Sequence, residues 1–269
     1  YRPGKLREMS FANVISMVKE YRSLYGFYSD NLKDDYKRTI ERLQKEQREA
    51  IEQLFSSFGN VLYSELHDFL NHGHEWIAAY DESLASVHGL DFTDLICGVH
   101  RLFQDPVVRE RWRSRYSYIS VDEMQDTGVL EYKVLEMLWE GNHVLLCGDY
   151  FQTIYEWRGS DPFRLLKQFD ADFKPLKIIF YENYRSNWTL FTMAFKTLQN
   201  MFPDLVGSIY TELPRANSES KGKPVLIKGC KNSYLEGRYI YESICALPKD
   251  ANIGVLVRDN KKAQRLSDS

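Results

Sequence analysis

The segment "VDEMQDT", residues 121–127, sets two adjacent carboxylates, Asp122 and Glu123, at the abrupt end of an apolar run containing Ile119 and Val121, and follows them with Gln125 and Asp126. Two chemistries fit such a group. Acids at a strand-to-helix turn can satisfy the free N–H groups of a first helical turn. The other chemistry is a metal ion and a nucleotide at a strand end. There an Asp holds magnesium, usually through water, because magnesium keeps much of its hydration and needs only one or two protein carboxylates. The neighbouring Glu polarises the water that attacks a γ-phosphate. Asp followed by Glu at a strand end is the Walker B arrangement, and the whole septet is far more specific than a bare Asp-Glu pair.

Two further blocks follow the same logic. In "CGDYFQTIYEWRG", residues 147–159, an apolar run ends in Gly148 and Asp149 and then offers Gln152, Tyr155, Trp157 and Arg158. A neutral amide beside a phosphate can sense whether the γ-phosphate is present. Aromatic rings beside an Arg suit a single nucleic-acid strand, since bases stack on the rings and the guanidinium meets the backbone. Alone, Tyr155 and Trp157 would read as core residues. In "FYENYRSN", residues 180–187, Tyr184 and Arg185 follow another apolar run. Arg is the planar, permanently charged donor for a phosphate in transit; the plainer reading is a turn in which Asn183 or Ser186 caps the next helix.

These residues need elements to position them. Residues 8–58 read as helical, with Tyr36, Ile40, Leu43, Ile51 and Leu54 at three- and four-residue steps and mixed charges on the other faces. Residues 61–115 also read as mostly helical, with breaks near "NHGH" and "HGL". From Tyr116 onward, short apolar runs alternate with helical stretches: 116–121, 143–149, 176–181, 224–230 and 252–259. That alternation predicts an α/β fold with a parallel sheet covered on both faces. Ligands bind such sheets at the carboxyl ends of the strands, where the polar residues of 122–126 and 148–152 stand.

Composition narrows the class. The chain has 269 residues, 43% hydrophobic and 27% charged, with a net charge of −3, which is ordinary for a globular protein. No apolar run approaches the roughly 20 residues of a membrane span, so no membrane partner and a cytoplasmic location are expected. Cys97, Cys147, Cys230 and Cys245 are widely spaced and read as buried free thiols rather than a metal cluster. The net charge makes no global case for nucleic acid, yet leaves room for a local basic groove. Arg109 and Arg113, within "RLFQDPVVRERWRSR", share a helical face that could meet DNA phosphate. The first residues, "YRPGKLREMS", hold neither an initiator Met nor a signal core, and the chain reads as a fragment of a longer protein.

Taken in order, "VDEMQDT", "GDYFQTIYEWRGS" and "ENYRS" resemble motifs II, III and IV of the UvrD/Rep/PcrA group of superfamily 1 DNA helicases. "GLDFTDLI" (89–96) and "IGVLVRDNKKAQRL" (253–266) resemble further segments of that family. The resemblance implies RecA-like motor domains of the P-loop NTPase fold, with a helical 1B subdomain at 1–115, the second part of motor domain 1A at 116–180 and the first part of 2A at 181–269. It implies an ATP-dependent, single-stranded DNA translocase or helicase that uses ATP and Mg at the 1A/2A cleft and moves 3′-to-5′. Asp122 would be the magnesium ligand, Glu123 the base that activates water, and Gln152 the contact to the γ-phosphate. Arg185 would be the arginine finger and Tyr184 would stack on the adenine. Trp157, Tyr155, Arg158 and Phe92 would meet single-stranded DNA or a single/double-strand junction, with Asp126 and Asp149 as coupling residues.

The chain departs from the family pattern at Tyr150-Phe151, where an acidic pair is common, and at Met124 and Ser160. It contains no G-x-x-x-x-G-K-[ST] loop, since "ESKGKP" lacks the first glycine and the hydroxyl residue, and the family's motifs V and VI are absent. The fragment alone is therefore expected to be inactive, and its parallel strands, stripped of neighbours, to be aggregation-prone. Two other readings share these residues. One is the helicase subunit of a nuclease, DNA-repair or anti-phage complex. The other is a nucleic-acid- or partner-binding module with a decayed motor.

Overall fold

The computed structural model describes residues 3–46, 63–153, 162–217, 222–257 and 260–267. The chain divides into two compact units, Tyr1–Lys177 and Ile178–Ser269. None of the described helices is long and apolar enough to cross a membrane.

The first unit begins with helices α1 (Pro3–Leu24), α2 (Leu32–Glu46) and α3 (Tyr63–Ser86). Val14, Met17, Val18 and Tyr21 form one stripe of α1 at helical spacing and pack with Tyr36, Ile40 and Leu43 of α2 and Ile77 of α3. The apolar stripe expected at 36–43 is thus a core stripe, while Ile51 and Leu54 lie outside the described residues. The expected single helical stretch from residue 8 is broken between α1 and α2. Gly26 takes a left-handed φ of 64°, which glycine reaches without a Cβ penalty. Beyond it, the buried Asp35 carboxylate accepts the Ser29 N–H at 2.6 Å and the Ser29 hydroxyl at 2.9 Å. The break expected at "NHGH" does not occur, because α3 runs through it; the one at "HGL" does.

Helix α4 (Phe92–Leu102) starts at a capping box: Asp94 N–H donates to Asp91 at 2.7 Å and Asp91 N–H donates to Asp94 at 3.1 Å. Lys19, almost fully buried on α1, ties this cap to α3. Its ammonium meets Asp81 at 3.2 Å, Asp91 at 3.0 Å and Asp94 in a short ion pair. Burial alone would push the Lys19 ammonium down, but hydrogen bonds to Asp94 and Asp91 and the charge of Asp81 reverse this and hold it above the ordinary lysine range. Burial likewise raises the Asp91 carboxyl, and the Asp94 N–H and Lys19 outweigh it, leaving Asp91 below its ordinary value. A depressed carboxyl contributes stability above the unfolded-chain pKa and loses it as pH falls through the folded value. Replacing Lys19 by Met strands three carboxylates. We expect a loss of about 2 kcal/mol, below the value for a fully buried pair because Asp81, Asp91 and Asp94 keep solvent contact. The variant's thermal midpoint should fall at neutral pH, and the gap to the parent should narrow on acidification as Asp91 protonates. A midpoint unchanged at neutral pH would show that the cluster contributes nothing.

After α5 (Pro106–Arg113), strand β1 (Tyr118–Val121), helix α6 (Val129–Glu136) and strand β2 (His143–Leu146) form a parallel βαβ unit, with Tyr118 opposite His143 and Val121 opposite Leu146. Met124, Val129, Tyr132 and Trp139 pack with Leu165 and Phe169 of α7 (Pro162–Phe173) and with the inward residues of both strands. Trp139 meets Tyr132, Phe169 and Phe173 edge to face, at centroid distances of 5.1, 5.3 and 5.5 Å.

The second unit holds strands β3 (Glu182–Asn183) and β4 (Arg215–Ala216), paired in parallel, and helices α8 (Trp188–Met201), α9 (Pro203–Ile209), α10 (Ser233–Cys245) and α11 (Asn260–Ser267). Here the expected strands differ. Among the described residues, 176–181, 224–230 and 252–257 are not paired into a sheet, and apolar side chains there stay open to solvent, with Phe180 84% and Leu256 97% exposed. A strand is held by its ladder and by a layer covering its face. These runs have strand-forming composition, but among the described residues only Tyr181 O meets a strand, accepting the Arg215 N–H of β4 at 2.8 Å.

Candidate nucleotide and phosphate site

The βαβ unit brings its two strand ends together. Cys147 N–H donates to Val121 O at 2.8 Å, and Met124 N–H donates to Cys147 O at 2.9 Å. The backbone carrying Asp122 and Glu123 is thereby stitched to the end of β2. Both carboxylates are exposed. Glu123 holds a left-handed conformation, φ 51° and ψ 41°, which costs a non-glycine residue on the order of 1 kcal/mol or more and survives only where the surroundings impose it. Asp122 Oδ1 accepts the Glu123 N–H at 2.9 Å.

The capping alternative for these acids is not what the structure builds. Helix α6 is capped at Gly128, whose N–H is taken by Glu131 at 2.8 Å. Among the described residues, Asp122 Oδ2 accepts no hydrogen bond at this exposed strand end, which leaves it a hard donor of the kind magnesium takes alongside several waters. The residues present therefore fit the ion that the resemblance implies.

The second strand end supplies Asp149 and Gln152. Asp149 Oδ1 accepts the Phe151 N–H at 2.9 Å, and its Oδ2 accepts from Gln152 Nε2 at 2.8 Å, so the exposed Gln152 amide is held in place. Tyr150 stacks on Phe163 at 4.9 Å and anchors the turn to α7. Aromatic packing here does a job that an acidic pair would not.

A residue missed by sequence reasoning links the two ends. Gln125, 2% exposed, donates from Nε2 to Glu123 Oε2 at 2.6 Å and accepts the Asp149 N–H at 2.9 Å. A Cβ on Gly148 would stand 2.7 Å from Gln125 Oε1 and 3.3 Å from two backbone nitrogens, so glycine is what lets the strand end approach the amide. The sequence signal for Gln125 is its place in the septet, two residues after the Asp122-Glu123 pair, where it is named without a role.

Of the residues expected to meet nucleic acid, Tyr155, Trp157 and Arg158 lie outside the described residues. Phe92 opens α4, 91% exposed, on a helix start fixed by the Asp91–Asp94–Lys19 cluster. Arg109 and Arg113 have work inside the protein: Arg109 Nη1 donates to Phe103 O at 3.0 Å, and Arg113 pairs with Glu110 at 2.5 Å and Glu140 at 2.6 Å.

In the second unit, Tyr184 is 77% exposed and its hydroxyl donates to Glu182 Oε2 at 2.6 Å. Glu182 also accepts from Arg215 at 3.1 Å and Asn217 at 2.9 Å. The Tyr184 hydroxyl, with Arg215 and Asn217 behind it, holds the Glu182 carboxyl below its ordinary range, and the same bond pushes the Tyr184 phenol up. Arg185 is exposed. The cap of α8 is Asn187, which accepts the Leu190 N–H at 3.0 Å. Asn183 instead takes the Ser186 N–H at 2.8 Å, so neither Asn183 nor Ser186 is the cap.

The UvrD/REP helicase N-terminal domain model matches residues 7–174, and the UvrD-like helicase C-terminal domain model matches residues 178–269. A probable DNA helicase II homolog of Mycoplasma capricolum is 32% identical over 191 residues, covering 69% of this chain and 26% of that protein. DNA helicase II of Haemophilus influenzae is 32% identical over 175 residues, 63% of this chain and 23% of that protein. The ATP-dependent DNA helicase PcrA of Bacillus subtilis is 29% identical over 200 residues, 71% of this chain and 26% of that protein. The chain spans about a quarter of the length of these curated relatives.

Proposed function

The chain belongs to the UvrD/REP helicase family, and we propose that the protein of which it forms part is an ATP-driven motor that moves along single-stranded DNA in the 3′-to-5′ direction. The observation that carries the reading is the parallel pairing of β1 with β2, which gathers Asp122, Glu123 and the held Gln152 at one edge of a sheet. An exposed acid pair and a fixed neutral amide are the parts a γ-phosphate and an attacking water require.

In this reading Asp122 holds magnesium, which neutralises charge on the phosphates when bound. Glu123 takes a proton from the attacking water. Gln152 contacts the γ-phosphate, Arg185 stabilises the charge developing on it, and Tyr184, steadied by Glu182, offers its exposed ring to the adenine. Trp157, Tyr155, Arg158 and Phe92 stack on or contact the DNA strand. Residues 1–115 act as a 1B-like subdomain, 116–180 as part of motor domain 1A, and 181–269 as part of 2A. A single/double-strand junction is the proposed substrate, and a nuclease or repair partner is the natural context for such a motor.

The test is ATP hydrolysis by the full-length protein with and without single-stranded DNA, followed by unwinding of duplexes with a 3′ or a 5′ tail. DNA-stimulated turnover and unwinding from the 3′ tail are expected. Retained DNA binding without any turnover would move the assignment to a non-catalytic binding module.

A further inference from the structure

We propose that Gln125 is a positioning residue that ties the water-activating carboxylate of Glu123 to the phosphate-sensing amide of Gln152. The inference rests on the functional reading above and deepens it. Three hydrogen bonds make the connection: Gln125 Nε2 to Glu123 Oε2 at 2.6 Å, Asp149 N–H to Gln125 Oε1 at 2.9 Å, and Gln152 Nε2 to Asp149 Oδ2 at 2.8 Å.

The chemistry of the partners selects an amide here. A carboxylate only accepts and a backbone N–H only donates, so the side chain between them must donate at one end and accept at the other. That also settles which way the Gln125 amide is turned, a choice its own shape leaves open. A Glu at this position would accept from Asp149 but would set a second negative charge against Glu123. A Met would fill the volume and do neither. Because Gln125 is buried, solvent does not replace a lost bond cheaply.

The neighbouring backbone is built to the same end. Glu123 holds a left-handed conformation, and Gln125 anchors its carboxylate. Gly148 keeps the Oε1 side open, since a Cβ there would stand 2.7 Å from it. A displacement of Gln152 by the γ-phosphate therefore passes through Asp149 and Gln125 to the group that activates water. These three hydrogen bonds thereby couple hydrolysis to the presence of the phosphate.

The experiment compares parent, Gln125→Met and Gln125→Glu in the full-length protein. It measures kcat and KM for ATP with saturating single-stranded DNA, equilibrium ATP affinity, and hydrogen exchange at the Asp149 amide without nucleotide. Both variants should lose roughly 10- to 100-fold in kcat, the range for displaced supporting groups, with KM and ATP affinity within about threefold of the parent. The Asp149 amide should exchange faster in Gln125→Met and stay protected in Gln125→Glu, whose carboxylate still accepts it. A kcat within about twofold of the parent in Gln125→Met overturns the proposal, as does unchanged protection of Asp149 in that variant. Loss of ATP affinity in step with kcat in both variants also overturns it, since that is damage to the fold rather than misplacement of Glu123. A parent that hydrolyses no ATP overturns the functional reading and this role with it, whereas an active parent with an indifferent Gln125→Met variant overturns the role alone.

Discussion

We expect Glu123→Gln in the full-length protein to bind ATP and single-stranded DNA as the parent does and to hydrolyse ATP about 10²- to 10⁴-fold more slowly, the range for loss of a positioned general base. The substitution is close to isosteric. Its amide oxygen can still accept from Gln125 Nε2, now 2.6 Å from Glu123 Oε2, and the exposed position forfeits no packing. Asp122 is untouched, so under the proposed function the magnesium would keep its ligand. The two measurements that separate chemistry from binding are single-turnover hydrolysis and equilibrium ATP affinity. Turnover within tenfold of the parent would remove Glu123 from its role and return the acid pair to a structural one. A drop in affinity equal to the drop in rate would place Glu123 among the binding groups instead.

Arg185→Ala should carry an effect at least as large if the proposed function holds. An arginine that stabilises a transferring phosphoryl group contributes about 10³- to 10⁵-fold in kcat. The structure makes the test a clean one, because Arg185 is exposed while the neighbouring contacts belong to Glu182, Tyr184, Asn183 and Asn187. Its removal should leave the unfolding free energy within about 0.5 kcal/mol of the parent, the usual span for surface substitutions. Arg185→Lys should recover only a fraction of the rate, since an ammonium carries the charge without the planar fork. Full recovery by Lys would mean that charge alone is needed, and full activity in the Ala variant would exclude the finger role.

Much of the first unit was legible in the sequence because its signals are local. The runs at 116–121 and 143–149 lead into polar residues, and within them Tyr118–Val121 and His143–Leu146 form strands. The stripe at Tyr36, Ile40 and Leu43 is the buried face of a helix. The break at Gly26 was hidden by apolar and aromatic residues on both sides of it, which continue a helical period across a turn. "NHGH" reads as a break, yet one helix spans it, since an isolated glycine costs a long helix only about 1 kcal/mol. The runs at 176–181, 224–230 and 252–257 have strand composition, but pairing is a property of neighbours and not of the run itself. Arg109 and Arg113 share a face as their spacing says. What the spacing cannot say is that one reaches a carbonyl and the other a glutamate on a distant loop. Gln125 was passed over for a related reason. Its partner Asp149 lies in another motif, and only the register of β1 against β2 brings the two together.

The aromatic cluster under the βαβ unit gives the protein an optical reporter. Trp139 is 2% exposed and ringed by Tyr132, Phe169 and Phe173, whereas Trp76, Trp112 and Trp188 are 39%, 40% and 50% exposed. Among the described tryptophans, the blue edge of the emission spectrum therefore belongs to one indole, and it shifts red only when α6 and α7 part. Light from Trp139 follows the integrity of the scaffold beneath the strand ends, separately from anything that happens to the exposed groups above it.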